Sequence, residues 1–169
     1  IDMVGLCDVD KNYLQAASTL VPGAKTFRDY REMFDKLDSK IDAVLVATPD
    51  HMHAPVALAA MERGKHVYCE KPLAHNVIEN RKLRTIAEKM KLVTQLGIQV
   101  SSSIGQRMTV EYIRSGLIGK VSEVHVWSFK KWGRDEDHVP AIPHAVPYAL
   151  DWDLWLGVAE NRHYKDGYY

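Results

Sequence analysis

The chain has little cysteine, no excess of charge of either sign and no long apolar run, and each shortage removes a class of protein. Its 169 residues hold two cysteines, Cys7 and Cys69. Each sits inside an apolar, strand-like stretch, where a free thiol behaves as a small hydrophobe, and their spacing is far from that of a CxxC redox pair. Lysine plus arginine equals aspartate plus glutamate, 22 each, so no overall field draws the chain to nucleic acid or to an anionic bilayer. No segment approaches the ~20 apolar residues of a membrane-spanning helix. Metal-ligand patterns are missing too. His51 and His53 form an HxH pair without a third ligand at a known spacing, and the remaining six histidines make no HxxxH pair; no metal is expected. The ten glycines form no phosphate loop: "SGLIGK" fits neither GxGxxG nor GxxxxGK[ST]. Finally, "IDMVGLCDVD" runs from Ile1 straight into an apolar strand without a methionine or a polar leader. The natural start, with any targeting segment, is expected upstream. Cytoplasmic residence is the expectation, with periplasmic export left open.

What is present is ordinary for a globular protein, 46% apolar and 26% charged, and strongly patterned. Met3 to Cys7 reads as a strand closed by Asp8. Asp10 then offers a cap to a helix whose Leu14, Ala17 and Val21 recur at helical spacing. Ala24 to Phe27 reads as a short strand and "DYREMFDKL" as a helix begun by Asp29. "IDAVLVAT", Ile41 to Thr48, is a continuous apolar run of the kind covered on both faces of a parallel sheet. Pro55 suits the first turn of a helix that Gly64 terminates. His66 to Cys69 is again a strand, a helix follows with Leu83, Ile86, Ala87 and Met90 on its core stripe, and "LVTQLG" returns as a strand. Alternating strands and helices with short connections predict an α/β, doubly wound parallel sheet.

The character changes near Gln99. "SSSIGQRMTVEYIRSGLIG" predicts a helix using Val110, Ile113 and Leu117, ended by Gly116 or Gly119, and the alternation in "VSEVHVWSF" predicts a strand with one exposed face. From Lys130 the chain turns to charge, proline and tryptophan, which reads as a long loop or arm. The expected division is a partial Rossmann domain over residues 1–98, without its first strand and glycine-rich loop, followed over 99–169 by the start of an α/β domain with an open sheet.

Several residues stand where chemistry is done in such sheets. Asp8, at the carboxyl end of the first strand, is placed to accept hydrogen bonds from an adenosine ribose and to repel a 2′-phosphate, which favours NAD over NADP. Asp10 reads as a cap. Thr48, Pro49 and Asp50 form a turn at a strand end that faces the ligand crevice. Lys71 follows a buried strand at once, in the run Glu70-Lys71-Pro72. Desolvation there disfavours the charged amine while Glu70 favours it, and Pro72 holds Lys71 extended. A hydride transfer from an alcohol needs a cation near the developing alkoxide and a base for the proton, and Lys71 suits the first role. Trp152 and Trp155, three apart, read as a packing pair ahead of a sugar platform.

"VATPDHMHAPVALAAMERGKHVYCEKPLAHN" resembles the Gfo/Idh/MocA family, glucose-fructose oxidoreductase, inositol dehydrogenase and their relatives. EKP after an apolar strand, with TPxxxH about 20 residues earlier, is the specific combination; "VTQLGIQ", "GLIGKVSEVHVW" and "LDWDLWLG" extend the likeness over essentially the whole chain. The resemblance implies an NAD-dependent dehydrogenase acting on a sugar, polyol or inositol, with a C-terminal sheet that forms homo-oligomers. It implies that Asp8 contacts the ribose, that Thr48, Pro49 and His53 border the dinucleotide, and that Glu70, Lys71 and Gln99 lie beside the nicotinamide, Lys71 reaching the substrate hydroxyl. The family's proton-accepting aspartate and histidine are expected beyond Tyr169, so this chain alone is expected to be inactive. Two other readings stand beside it: a relative that uses bound NAD transiently for glycoside hydrolysis, and a non-catalytic binding or structural protein.

Overall fold

The computed structural model describes residues 1–128 and 142–167. Two groups of residues form separate compact units: residues 1–97 with the described residues from 142 to 167, and the described residues from 98 to 128.

In the first unit strand and helix alternate: β1 (Gly5–Cys7), α1 (Lys11–Leu20), β2 (Lys25–Phe27), α2 (Tyr30–Leu37), β3 (Ala43–Val46), α3 (His53–Glu62), β4 (His66–Glu70), α4 (Val77–Met90) and β5 (Thr94–Gly97). Among the described residues these strands pair only in parallel. β1 pairs with β2, and β3, β4 and β5 form a second sheet in that order. The register puts Val46 opposite Cys69, Cys69 opposite Leu96 and Glu70 opposite Gly97. The strands of this sheet therefore finish side by side, and the carboxyl edge is level.

The helices begin and end where local chemistry dictates. Asp10 caps α1 by accepting from the amides of Asn12 and Tyr13, Asp29 caps α2 through Arg31, and Asn76 caps α4 through Glu79. α3 closes in a Schellman turn, with the Gly64 amide bonded to the Met61 carbonyl at 2.9 Å and that of Lys65 to Ala60 at 3.1 Å. Gly64 takes φ +76° there, a conformation that costs glycine nothing. One apolar core joins Phe27, Phe34 and Leu37 to Val44, Val46, Ala57, Ala60, Val67, Cys69 and Leu83, so both sheets share it.

The strand expected over Ile41–Thr48 with both faces covered is shorter and one-sided. Val44 and Val46 lie in the core, whereas Leu45 is 64% exposed. Side chains alternate across a strand, and among the described residues α3 covers only one face of it.

The described part of the returning segment, from 142 to 167, packs on the first unit although residues 99–169 were expected to belong together. Leu150 bridges to Asp10 in antiparallel sense, and the short helix α6 (Trp152–Leu156) is capped by Asp151. Trp152 and Trp155 stack with centroids 4.8 Å apart, Tyr164 meets Trp152 edge-on, and Leu150 and Leu156 complete this small core. The two tryptophans are thus a packing pair, as their spacing predicts.

In the second unit α5 (Ile104–Arg114) starts at Ser103, whose hydroxyl accepts from the Gln106 amide. It ends in a Schellman turn at Gly116, φ +75°, so it stops short of Leu117. The strand expected over "VSEVHVWSF" is not formed in its described part, residues 121–128, and Val126 is 91% exposed. Alternation makes a strand only when a neighbour supplies the ladder bonds, and among the described residues none does. The expected arm, residues 130–157, falls partly outside the described residues, and Trp132 with it.

Candidate active site

The carboxyl edge of the β3–β4–β5 sheet carries the turn after β3 (Thr48, Pro49, Asp50), the turn after β4 (Lys71, Pro72) and the last residue of β5, Gly97. In parallel sheets ligands bind outside this edge.

His53, the first residue of α3, ties the first two turns together. Its ring is only 2% exposed. Nε2 lies 2.8 Å from the Thr48 carbonyl oxygen and Nδ1 lies 2.5 Å from that of Pro72. Both carbonyls belong to chain that has left the sheet and has no ladder partner; the ring sits between the two turns, and its N–H donates to one of the two carbonyls. His53, expected to border the dinucleotide, is buried and engages the backbone of both turns; Thr48 and Pro49 are the exposed members of that loop.

Glu70 ends β4 half-buried, and Lys71 follows on the turn, exposed, with a cis peptide to Pro72. The desolvated setting expected for Lys71 is not what the structure shows, because the residue stands one position past the strand, outside the packed layer.

Asp8 holds the equivalent position at the end of β1. Its amide donates to the Phe27 carbonyl at 3.1 Å, and its carboxylate accepts from the Asp10 amide at 2.8 Å. Burial raises the affinity of the Asp8 carboxyl for its proton; the Asp10 amide opposes this and the Asp10 charge adds to it. Gln99 opens a 3-10 turn, Gln99–Ser102, in the second unit. The structure thus brings Thr48, Pro49, His53, Glu70 and Lys71 to one edge, with Asp8 at the end of the neighbouring sheet.

The sequence reading missed a clamp on the Asp8 loop. The amide of Lys11 donates to the Ala149 carbonyl and that of Asp151 to Val9, both at 3.1 Å. Arg28 Nη2 bonds the carbonyls of Val9 at 2.8 Å and Ala149 at 3.2 Å, and Nη1 lies 3.7 Å from Asp151. His51 reaches the other loop, Nε2 2.9 Å from the Trp155 carbonyl. The returning segment therefore grips the turns after β1 and β3 together. "LDWDLWLG" was the only signal, and it carried no register.

The thiols take no part. Burial, then the charges of Asp29, Asp8 and Glu32, push Cys7 up to about 12, and burial, then Glu70, pushes Cys69 up to about 11, so neither forms a nucleophilic thiolate at neutral pH. Among the described residues no three histidine, cysteine or acidic side chains gather as metal ligands, and no helix is long and apolar enough to cross a membrane.

Fold and edge together define a dinucleotide-binding α/β unit. Residues 1–98 match the model of an oxidoreductase family with an NAD-binding Rossmann fold, Gfo/Idh/MocA, and the chain belongs to that family. It is 30% identical over 168 residues to an inositol 2-dehydrogenase of Salmonella typhimurium, a match spanning 98% of this chain and 48% of that protein. The chain thus spans about half the length of that curated relative. Among solved structures it is similar to the myo-inositol 2-dehydrogenase of Lactobacillus plantarum, with TM-score 0.65, 26% identity, and 72% of this chain and 35% of that one covered. It is also similar to a levoglucosan dehydrogenase in complex with NADH and levoglucosan, with TM-score 0.59, 28% identity, and 71% and 32% covered.

The residues present suit the nucleotide the family binds. Asp8 offers a carboxylate acceptor at a strand end, and the exposed edge at Thr48, Pro49 and Lys71 offers polar groups beside a sheet whose carboxyl end is level.

Proposed function

We propose that the full-length protein is an NAD-dependent dehydrogenase that oxidises a hydroxyl of a sugar, polyol or inositol. The observation that carries this is the placement of Lys71: an exposed ammonium on a turn anchored by His53, beside the carboxyl edge of a parallel sheet. Oxidation removes a hydride from the carbinol carbon and a proton from its oxygen. NAD, when bound, supplies the hydride acceptor, and the proton passes to a base or to water. Lys71 donates to the substrate oxygen as negative charge grows on it. Asp8 receives the adenosine ribose hydroxyls and disfavours a 2′-phosphate, Thr48 and Pro49 border the nucleotide, and Glu70 and Gln99 lie by the nicotinamide. His53 acts from behind, as an anchor. The same reading includes self-association through a sheet of the C-terminal domain and a cytoplasmic setting.

The test is NADH formation, followed by absorbance, when the full-length gene product is given NAD with myo-inositol, levoglucosan and a panel of other polyols. Turnover with one of them is expected, and Lys71→Met should lower kcat/KM by about 10²–10³-fold without changing the melting temperature. An unchanged rate in that variant overturns the role of Lys71. NAD that stays bound, with glycoside cleavage and no net NADH, establishes the glycosidase instead.

A further inference from the structure

Gly97 ends β5 directly opposite Glu70 in the parallel register. A Cβ built on it would stand 2.8 Å from each of Glu70 Cδ, Oε1 and Oε2. Equal distances to the three atoms mean that the carboxylate lies flat over the glycine, its plane against the backbone where a side chain would emerge. Ordinary contact begins near 3.4 Å, so any side chain at 97 displaces the carboxylate. The backbone itself does not demand glycine: Gly97 is not among the residues of positive φ. What the position requires is room, and Glu70 occupies it.

We propose that Gly97 is a positioning residue, its bare backbone the seat that fixes the Glu70 carboxylate at the edge of the site. This rests on the dehydrogenase reading, in which Glu70 lies by the nicotinamide. A buried glycine in a strand weakens it, because it packs nothing and loses more freedom on folding. Here the loss is offset by the placement of a charge: the missing Cβ leaves the room in which the carboxylate lies against Gly97, across from β5 and next in sequence to Lys71. An alanine leaves Glu70 its flexible stem, so the chain still folds, and the carboxylate swings off the edge.

The experiment is a double-mutant cycle in the full-length protein with Gly97→Ala, Glu70→Ala and both. Two quantities are read for each variant: the urea unfolding midpoint, and kcat and KM for NAD with the best polyol. Gly97→Ala alone should lower kcat/KM by about tenfold to a hundredfold, the scale of a ~1 Å misplacement at a reacting centre, with its unfolding midpoint held or raised. In the Glu70→Ala background the same change should leave kcat/KM within about twofold and raise the midpoint further than in the parent, since the contact is gone and only the gain in backbone rigidity remains. Equal activity losses in both backgrounds, or none in the parent, overturn the proposal. If no variant forms NADH, the parent included, the dehydrogenase reading fails, and the midpoints still decide the seat: a larger rise without Glu70 supports it and equal shifts overturn it.

Discussion

The β3–α3–β4 unit and helix α5 are both apolar in sequence and well marked at their ends, yet they meet opposite fates. α5 has a serine cap, a Schellman stop and two apolar residues at helical spacing, Val110 and Ile113, both of them exposed. β3, α3 and β4 bury Val46, Ala57, Ala60, Val67 and Cys69 against one another. End signals decide where a helix forms. Burial decides what it is worth, since most helical stability in proteins comes from packing of a face. Burial also holds the site: the turns bearing Thr48 and Lys71 are tied by a ring that is itself 2% exposed.

The sharpest way to break the contrast is at His53. Its removal leaves the Thr48 and Pro72 carbonyls without their imidazole partner and opens a cavity behind both turns. Truncating a large buried side chain costs about 2–5 kcal/mol through the cavity it leaves, and His53 is 2% exposed, so His53→Ala should destabilise the 169-residue chain by about 3 kcal/mol in urea unfolding. A loss below ~1 kcal/mol would show that the turns hold themselves.

A smaller and pH-dependent effect separates Asp8 from the structural carboxylates. Its folded proton affinity is raised, mainly by burial, so the contribution it makes to stability is present at low pH and lost as pH rises through its folded value. At pH 7 the ionised form is a cost. Asp8→Asn, whose amide oxygen still accepts from the Asp10 amide, should therefore be more stable than the parent at pH 7, with the advantage vanishing towards pH 3. Asp29 is the control of opposite sign. Its hydrogen bond to Arg31 lowers its proton affinity, so its contribution is present above the ordinary carboxylate range and fades as pH falls through the lowered value. A stabilising Asp8→Asn that also weakens NAD binding would mark Asp8 as a residue kept for function at the expense of stability. Equal stability at both pH values would remove the strain.

Much of this was legible in the chain, and the boundary is physical. The caps at Asp10 and Asp29, the glycine stop at Gly64 and the strand leading into Glu70-Lys71-Pro72 are local signals, read within a turn or two of the residue concerned. The parallel sense of the strands follows from the alternation of strand and helix. Leu45 was misjudged because an apolar run does not say how many of its faces will be covered. The desolvation expected at Lys71 belongs to its strand, and Lys71 stands one residue outside it, exposed. The Arg28 clamp joins residues 121 positions apart in the chain, and no periodicity carries a pairing over that distance. Gly97 was passed over for a related reason: its role depends on a register with β4 that neither strand announces.

The smallest expected effect sharpens the comparison from the other side. Ile113 sits on the apolar stripe of α5 and is 46% exposed. Truncation at such a position removes little buried area, and substitutions away from packed features usually fall within about 0.5 kcal/mol. Ile113→Ala should therefore move the urea midpoint of the 169-residue chain hardly at all, and Ala's higher helix propensity offsets part of the loss. Measured beside His53→Ala, the pair sets a burial-anchored turn against a helix held by its ends. A loss above ~1 kcal/mol at Ile113 would mean that the stripe of α5 is covered in solution, and that the two regions differ less in packing than their exposures indicate.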